Sequence, residues 1–225
     1  MAFRMEPVTA YEKLRTEILR GGLKPGERLR VSELNGKFQL GLTPIREALV
    51  RLSSEGLVVT EANRGARVRE TSLAELHDLT ETRQKIEAWC LERAMEKGTK
   101  VWEADVLRHL YLLNHAELPE GPDDREREAE WERLHRAFHF SLVHPCGSDW
   151  SLHIWNMLVD QTERYRNLRL LTFRTSRSKV EMMIEEHENI ANAVIKRDTA
   201  KALELMHSHL QNTATAVERI LIADT

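Results

Sequence analysis

The chain has 225 residues, with 33 Lys and Arg against 36 Asp and Glu, a formal net charge of −3 and 41% apolar residues. This length suits one large core or two small ones, and two cysteines, Cys90 and Cys146, are too few for a disulfide framework. No run near the N-terminus is apolar enough for a signal peptide or a membrane span, so a soluble, cytoplasmic protein with no membrane partner is expected. Charge is unevenly spread: the first 70 residues hold 13 Lys and Arg, nine Glu and no Asp, whereas the remainder holds 20 basic against 27 acidic residues. A basic first part attracts phosphates and an acidic second part is repelled by them, so the two parts are expected to do different work.

Ala10 to Arg20 carries Tyr11, Leu14, Ile18 and Leu19 at helical spacing and is closed by Gly21-Gly22, before Lys24-Pro25-Gly26 turns the chain. Ser32 to Phe38 predicts a short second helix, with Ser32 placed to cap it and Leu34 and Phe38 on one face. Gln39-Leu40-Gly41-Leu42 is then a turn. Thr43 is expected as the N-cap of a third helix, with Pro44 at the first helical position, where its missing N–H costs nothing, and Glu47 near the positive end. Ile45, Ala48, Leu49 and Leu52 make the buried face, and Arg46 and Arg51 lie off it. Gly56 stops this helix, after which Leu57-Val58-Val59-Thr60, the turn Asn63-Arg64-Gly65 and Ala66-Arg67-Val68-Arg69 predict a β-hairpin. Helix, helix, recognition helix and two-stranded wing form a winged helix-turn-helix. Thr43 and Arg46 in the first turn then reach a major groove, and Arg64 at the wing tip an adjacent minor groove. Taken alone, the third helix also fits an ordinary capped surface helix.

The runs Gly22-Leu23-Lys24-Pro25-Gly26-Glu27-Arg28-Leu29, Thr43-Pro44-Ile45-Arg46-Glu47-Ala48-Leu49, Glu55-Gly56-Leu57-Val58 and Asn63-Arg64-Gly65 resemble the GntR-type bacterial transcription regulators over residues 10 to 69. The resemblance implies contact with double-stranded operator DNA through Thr43, Arg46 and the Arg64-Gly65 wing tip, with Pro44 and Arg51 on the same helix. The residue before the Thr is typically Arg in that family. Here Gly41-Leu42 stand in its place, which removes a bidentate donor to guanine from the turn.

Beyond Ser72 the periodic stretches are all helical, roughly 72 to 97 (with a break near Leu79 open), 100 to 117, 126 to 143, 149 to 172, 177 to 197 and 199 to 222. Clear breaks fall at Leu118-Pro119-Glu120-Gly121-Pro122 and Pro145-Cys146-Gly147. Three of these helices put histidine where an apolar residue is expected. The stripes run Trp131, Leu134, His135, Phe138 and Leu142, with His139 at the edge; then Val180, Met183, Ile184, His187, Ala191 and Val194; then Ala202, Met206, His209, Thr213 and Val217. One such histidine is an ordinary core residue, whereas four converging in a bundle have the number and chemistry of a divalent transition-metal site. His144, His153 and His207 are not expected to join it, the last pointing well away from its stripe. Glu132-x-x-His135 and Glu204-x-x-His207 match the spacing of di-iron bundles, but Glu204 and His207 leave the stripe that holds His209. No His-Glu-x-x-His zinc-peptidase motif is present.

Glu81-Thr82-Arg83-Gln84-Lys85-Ile86-Glu87, Leu134-His135-Arg136-Ala137-Phe138-His139, Glu186-His187-Glu188-Asn189-Ile190 and Ala202 to Leu210 are similar to the FCD-type effector domain of the FadR branch of GntR regulators. The resemblance places metal ligands at His135, His139, His187 and His209, the first being commonly Asp in that family. An imidazole in place of that carboxylate raises the site's charge by one and favours Zn or Ni over Mn. Trp102 to Leu107, His135 to His139 and Cys146-Gly147-Ser148 are also similar to carbon-starvation-induced repressors that respond to glutarate. Arg83, Arg164, Tyr165 and Arg169 are candidate effector ligands. For Arg83 the competing reading is an intrahelical pair with Glu87; for most of the fourth bundle helix it is a solvated charged face. Asp160 is a candidate to orient a ligating histidine.

The expected protein is mostly α: a winged helix-turn-helix in residues 1–70, then an antiparallel all-α bundle of about six helices in 71–225 for effector binding and dimerisation. The expected function is a metabolite-responsive regulator, a homodimeric repressor that senses a small carboxylate (a dicarboxylate or hydroxy acid) at a metal-centred pocket. The alternatives are a helical-bundle metalloenzyme, di-iron or zinc, with an accessory basic domain, and a sensor whose histidines are structural. The winged motif separates the first alternative, because an enzyme has no need of it.

Overall fold

A helix that begins at Ala10 needs partners for its first amides, and Thr9 and Glu12 supply them reciprocally. The Glu12 N–H donates to Thr9 Oγ1 at 3.2 Å and the Thr9 N–H donates to Glu12 Oε2 at 2.9 Å, closing a capping box. The structure, a computed structural model, describes residues 9–61, 65–121, 124–173 and 177–223. It divides into two compact units, Met1–Ser72 and Leu73–Thr225.

In the first unit, helix α1 (Ala10–Leu19) is followed by strand β1 (Arg28–Leu29), helices α2 (Val31–Phe38) and α3 (Leu42–Ser54), and strands β2 (Val58–Glu61) and β3 (Gly65–Val68). The strands form an antiparallel sheet in the order β1-β3-β2, with Arg28 opposite Arg67 and Val59 opposite Arg67 on the other side. The wing is therefore three-stranded, because Arg28 and Leu29 add an edge too short to show any alternation. Leu14, Ile18, Leu34, Ile45, Leu49, Leu52, Leu57 and Val68 form one core, which sets the angle of α3 against α1 and the sheet.

Two expectations about helix starts are corrected. α2 begins at Val31, so Ser32 lies inside it and caps nothing; Arg30 precedes it and pairs with Glu33 at 2.7 Å. α3 begins at Leu42 with Gly41 as its cap, so Thr43 and Pro44 are the second and third helical residues. Gly41 holds φ at 88°, a conformation open to glycine, and its N–H donates to Asn35 Oδ1 at 2.7 Å. Pro44 is accommodated within the first turn because the first amides of a helix have no intrahelical acceptor.

The second unit holds six α-helices among the described residues: α4 (Leu73–Lys97), α5 (Lys100–Asn114), α6 (Arg125–Val143), α7 (Asp149–Phe173), α8 (Arg177–Ile195) and α9 (Thr199–Ala223). A 3₁₀ turn, His144–Cys146, follows α6 at the expected break. α4 is unbroken at Leu79, where the Thr80 hydroxyl donates to the Leu76 carbonyl at 2.7 Å within the helix. Trp131, Phe138, Leu142, Trp155, Ile190, Val194 and Met206 fill the centre of the bundle. Both cysteines are free and buried, and burial beside Cys146 pushes the Cys90 thiol up to about 12. No helix among the described residues is long and apolar enough to cross a membrane.

Candidate functional site

Ile45, Ala48, Leu49 and Leu52 anchor one face of α3 in the core, and this leaves Thr43, Pro44 and Arg46 exposed at its N-terminal end. Arg51 lies about 140° further round the helix by helical spacing. Its guanidinium sits 3.6 Å over the Tyr11 ring and its Nε is 3.3 Å from Glu55, so it faces α1 rather than standing beside Arg46. Gly65 is exposed at the start of β3, and Arg64 lies outside the described residues.

In the bundle, α6 supplies His135 and His139 one turn apart, α8 supplies His187 and α9 supplies His209. All four are buried, and one ligand atom from each lies within 4.8 Å of every other. Burial lowers the His135 and His139 pKa values well below the ordinary histidine range, and the neighbouring rings and arginines lower them further. The rings are thus neutral, the form that donates a lone pair. Both ring nitrogens of His139 and Nδ1 of His135 are buried without a hydrogen-bond partner. Leaving such atoms unsatisfied is costly, and in a neutral ring one nitrogen needs an acceptor for its proton while the other needs something to take its lone pair. The lone-pair nitrogen of each ring fits a metal ion.

His209 Nδ1 lies 2.8 Å from Glu186 Oε2, and since a carboxylate only accepts, Nδ1 carries the proton and Nε2 keeps its lone pair. Asn212 donates to the other Glu186 oxygen at 2.7 Å. The orienting carboxylate of α8 is therefore Glu186. Asp160, expected in such a role, instead bonds Arg136 on α6. His207, His144 and His153 are exposed and lie outside the cluster. The two Glu-x-x-His spacings resolve as ion pairs: Glu132 is buried against Arg166 at 2.6 Å, and Glu204 is exposed against Lys201 at 2.9 Å.

A cavity of about 30 Å³ adjoins the cluster, lined by His135 and His209 together with Thr80, Arg83, Thr162, Tyr165, Arg166 and Thr213. Arg83 is buried, with Nε 3.2 Å from Glu87 and Nη1 donating to Thr162 at 2.8 Å, so the intrahelical pair and the cavity position are both present. Tyr165 lines the cavity and its hydroxyl donates to Glu75. Arg164 does not line it; its Nη2 donates to Glu75 at 3.0 Å. The side chain of Arg169 lies outside the described residues. Arg166 is the cavity arginine that sequence reasoning missed, along with Thr80 and Thr162. Trp155, Val159, Thr162 and Arg166 recur at helical spacing on α7, so an arginine ending an apolar stripe was the available signal.

A winged helix-turn-helix with an exposed helix N-terminus, and an all-helical unit with four buried histidines, define a two-domain DNA-binding transcription regulator. The chain belongs to the bacterial regulatory proteins of the gntR family, whose model matches residues 8–68, and an FCD domain matches residues 78–212. It is 36% identical over 211 residues to the HTH-type transcriptional repressor GlaR of Escherichia coli (strain K12), covering 94% of this chain and 95% of that one. It is 30% identical over 209 residues to the HTH-type transcriptional regulator BphR of Paraburkholderia xenovorans (strain LB400), covering 93% and 84%. Among solved structures, E. coli McbR/YncC superposes with a TM-score of 0.75 at 21% identity, covering 96% of this chain and 99% of that one, which shows a shared fold. The matched family and these relatives are regulators rather than enzymes, and the metalloenzyme alternative finds no support in them. GntR regulators bind operator DNA and FCD domains bind small-molecule effectors, and the histidine cluster of this one can hold a metal.

Proposed function

We propose that the chain is a cytoplasmic, homodimeric repressor whose hold on operator DNA changes when a small carboxylate, a dicarboxylate or a hydroxy acid, binds beside a metal held by His135, His139, His187 and His209. The observation that carries this reading is the set of four buried imidazoles adjoining a cavity that two arginines line. Four neutral donors leave a divalent ion its full charge. Arg83 and Arg166 are balanced by Glu87 and Glu132, and Glu186 beside His209 offsets one of the ion's two charges, so the site remains cationic and attracts a carboxylate. The all-nitrogen donor set favours Zn or Ni.

The cavity of about 30 Å³ is bounded by α4, α6, α7 and α9 and has room for more than one water molecule. A carboxylate seated there touches all four of these helices at once. A change in how these helices pack is the signal such an effector gives to the rest of the protein. When bound, the metal supplies a Lewis acid to which a carboxylate oxygen binds, while Arg83 and Thr162 stand ready to meet the second end. In the winged unit, Thr43 and Arg46 read the major groove, and two such units on a near-palindrome present their α3 helices about one DNA turn apart, ~34 Å.

The test is metal analysis of purified protein and of His187→Ala, with thermal shifts in a panel of dicarboxylates and hydroxy acids. The native chain is expected to hold one metal per chain and to gain stability from a dicarboxylate, because a ligand that binds only the folded state stabilises it by RT ln(1 + [L]/Kd). His187→Ala is expected to lose both. A mutant that kept one equivalent of metal and the same thermal shift would overturn the site.

A further inference from the structure

Glu87 is fully buried near the middle of α4 and joins three elements. Its Oε2 accepts from Trp155 Nε1 of α7 at 2.8 Å and from Arg83 Nε at 3.2 Å. Its Oε1 has no hydrogen-bond partner and lies 3.8 Å from His139 Nδ1, which has none either. Two unpaired buried atoms of complementary chemistry face each other just beyond hydrogen-bond range. A carboxylate can only accept, and a neutral imidazole that gives one nitrogen to a metal carries its proton on the other.

On the reading that the four histidines hold a metal, we propose that Glu87 is the positioning residue for His139. It accepts the Nδ1–H hydrogen bond and leaves Nε2 to the metal, as Glu186 does for His209. The same carboxylate is tied to Arg83, the guanidinium at the cavity, so Glu87 links an anion at Arg83 to the strength with which His139 is held. An effector that draws Arg83 away from Oε2 leaves more of the carboxylate's charge to His139. By linkage, whatever factor the effector adds to metal affinity, the metal adds to effector affinity.

Full-length protein is stripped with a chelator and titrated with Co²⁺, read by its visible ligand-field bands, and with Zn²⁺ against a competing chromophoric chelator. Glu87→Gln keeps the shape and removes the charge. It is expected to weaken Zn²⁺ binding by roughly 10- to 100-fold and to shift the Co²⁺ bands, the range usual for carboxylates that orient metal-bound histidines. Circular dichroism and thermal unfolding of the metal-free protein check the fold. Should Glu87→Gln fail to fold, Glu87→Asp, which draws the same charge back by one methylene, takes its place with a smaller loss expected. A merely structural role lowers the melting temperature of the metal-free variant and leaves the Co²⁺ bands where they are. Zn²⁺ affinity within threefold of native with unchanged bands, in whichever variant folds, overturns the proposal. Failure of the metal reading is distinct: the native chain itself then takes up no Co²⁺ or Zn²⁺, and both fall together.

Discussion

Arg46 is exposed in the first half of α3 while its neighbours Ile45 and Ala48 are buried, so truncating it removes the proposed DNA contact without opening the core. Arg46→Ala is expected to leave the melting temperature within about 0.5 kcal/mol equivalent of native, as for other surface substitutions. It should weaken specific operator binding by about 1–3 kcal/mol, or roughly 5- to 150-fold, the cost of one lost base contact. Fluorescence anisotropy with the DNA upstream of its own gene reads the loss, and unchanged affinity would mean that this face of α3 does not enter the groove. In the bundle, Glu163 is the residue most out of place. Burial and the neighbouring Glu132 push its carboxyl up to about 7, although Arg136 lies 3.7 Å away. A raised carboxylate pKa means that the folded state holds a proton the unfolded chain has lost, so stability falls as pH climbs from about 4.5 to 7. Glu163→Gln, which is neutral throughout, is expected to melt higher than native at pH 8, with the difference closing by pH 5. Equal melting temperatures at pH 8 would place Glu163 in a fully compensated ion pair.

At the scale of elements, the metal-free histidine cluster gives the bundle the opposite pH dependence. His135 and His139 titrate well below 6.5 in the folded state because burial disfavours their charged form. Below about pH 6.5 the unfolded chain therefore binds protons that the folded one refuses, and stability is lost on acidification at about 1.4 kcal/mol per pH unit for each histidine. Two such histidines act against the single raised carboxyl of Glu163, so chelator-treated protein is expected to melt lower at pH 5 than at pH 7; a higher melting temperature at pH 5, in Glu163→Gln as well as in native protein, would overturn this reading. The helices and their stripes were legible in the sequence because amphipathic periodicity is strong over long segments: His135, His187 and His209 were visible as polar residues at core positions. What was not legible depends on packing. Arg164 and Arg166 are near neighbours in sequence, yet one bonds Glu75 and the other lines the cavity, and only the rotation of α7 against α4 and α6 decides which. The start of α3 lies two residues before the expected one because Thr43-Pro44 is a strong local capping pattern, and a left-handed glycine held by Asn35 prevailed over it. Gly41→Ala tests that account: φ near 88° is strained for alanine, and the added Cβ would meet Pro44 Cδ at 3.4 Å. A destabilisation of the winged unit of about 1–3 kcal/mol is expected by thermal unfolding, whereas Thr43→Ala, which removes no cap bond, is expected to change stability little.

At the scale of the whole molecule, each unit has a core of its own. Leu14, Ile45 and Leu57 are fully buried in the first, and Trp131, Phe138, Trp155 and Ile190 in the second. The four histidines and the residues lining the cavity all belong to the second unit, so the proposed metal and effector site draws its residues from that unit alone. A fragment of residues 71–225 is therefore expected to fold alone, to take up the same one metal per chain and to show the same thermal shift with a dicarboxylate as the full chain. It is also expected to remain a dimer, since dimerisation is assigned to the bundle, and to have no affinity for DNA. The full chain should bind DNA with an affinity that falls steeply with salt, because its basic first 70 residues supply the phosphate contacts and the acidic remainder none. Sedimentation of the fragment, metal analysis and a salt titration of the full chain on operator DNA separate these expectations. A fragment that is monomeric but still binds metal would move the dimer contacts to the winged unit and leave the sensing site intact. A fragment that is folded and metal-free would show that the histidine cluster depends on residues outside the bundle.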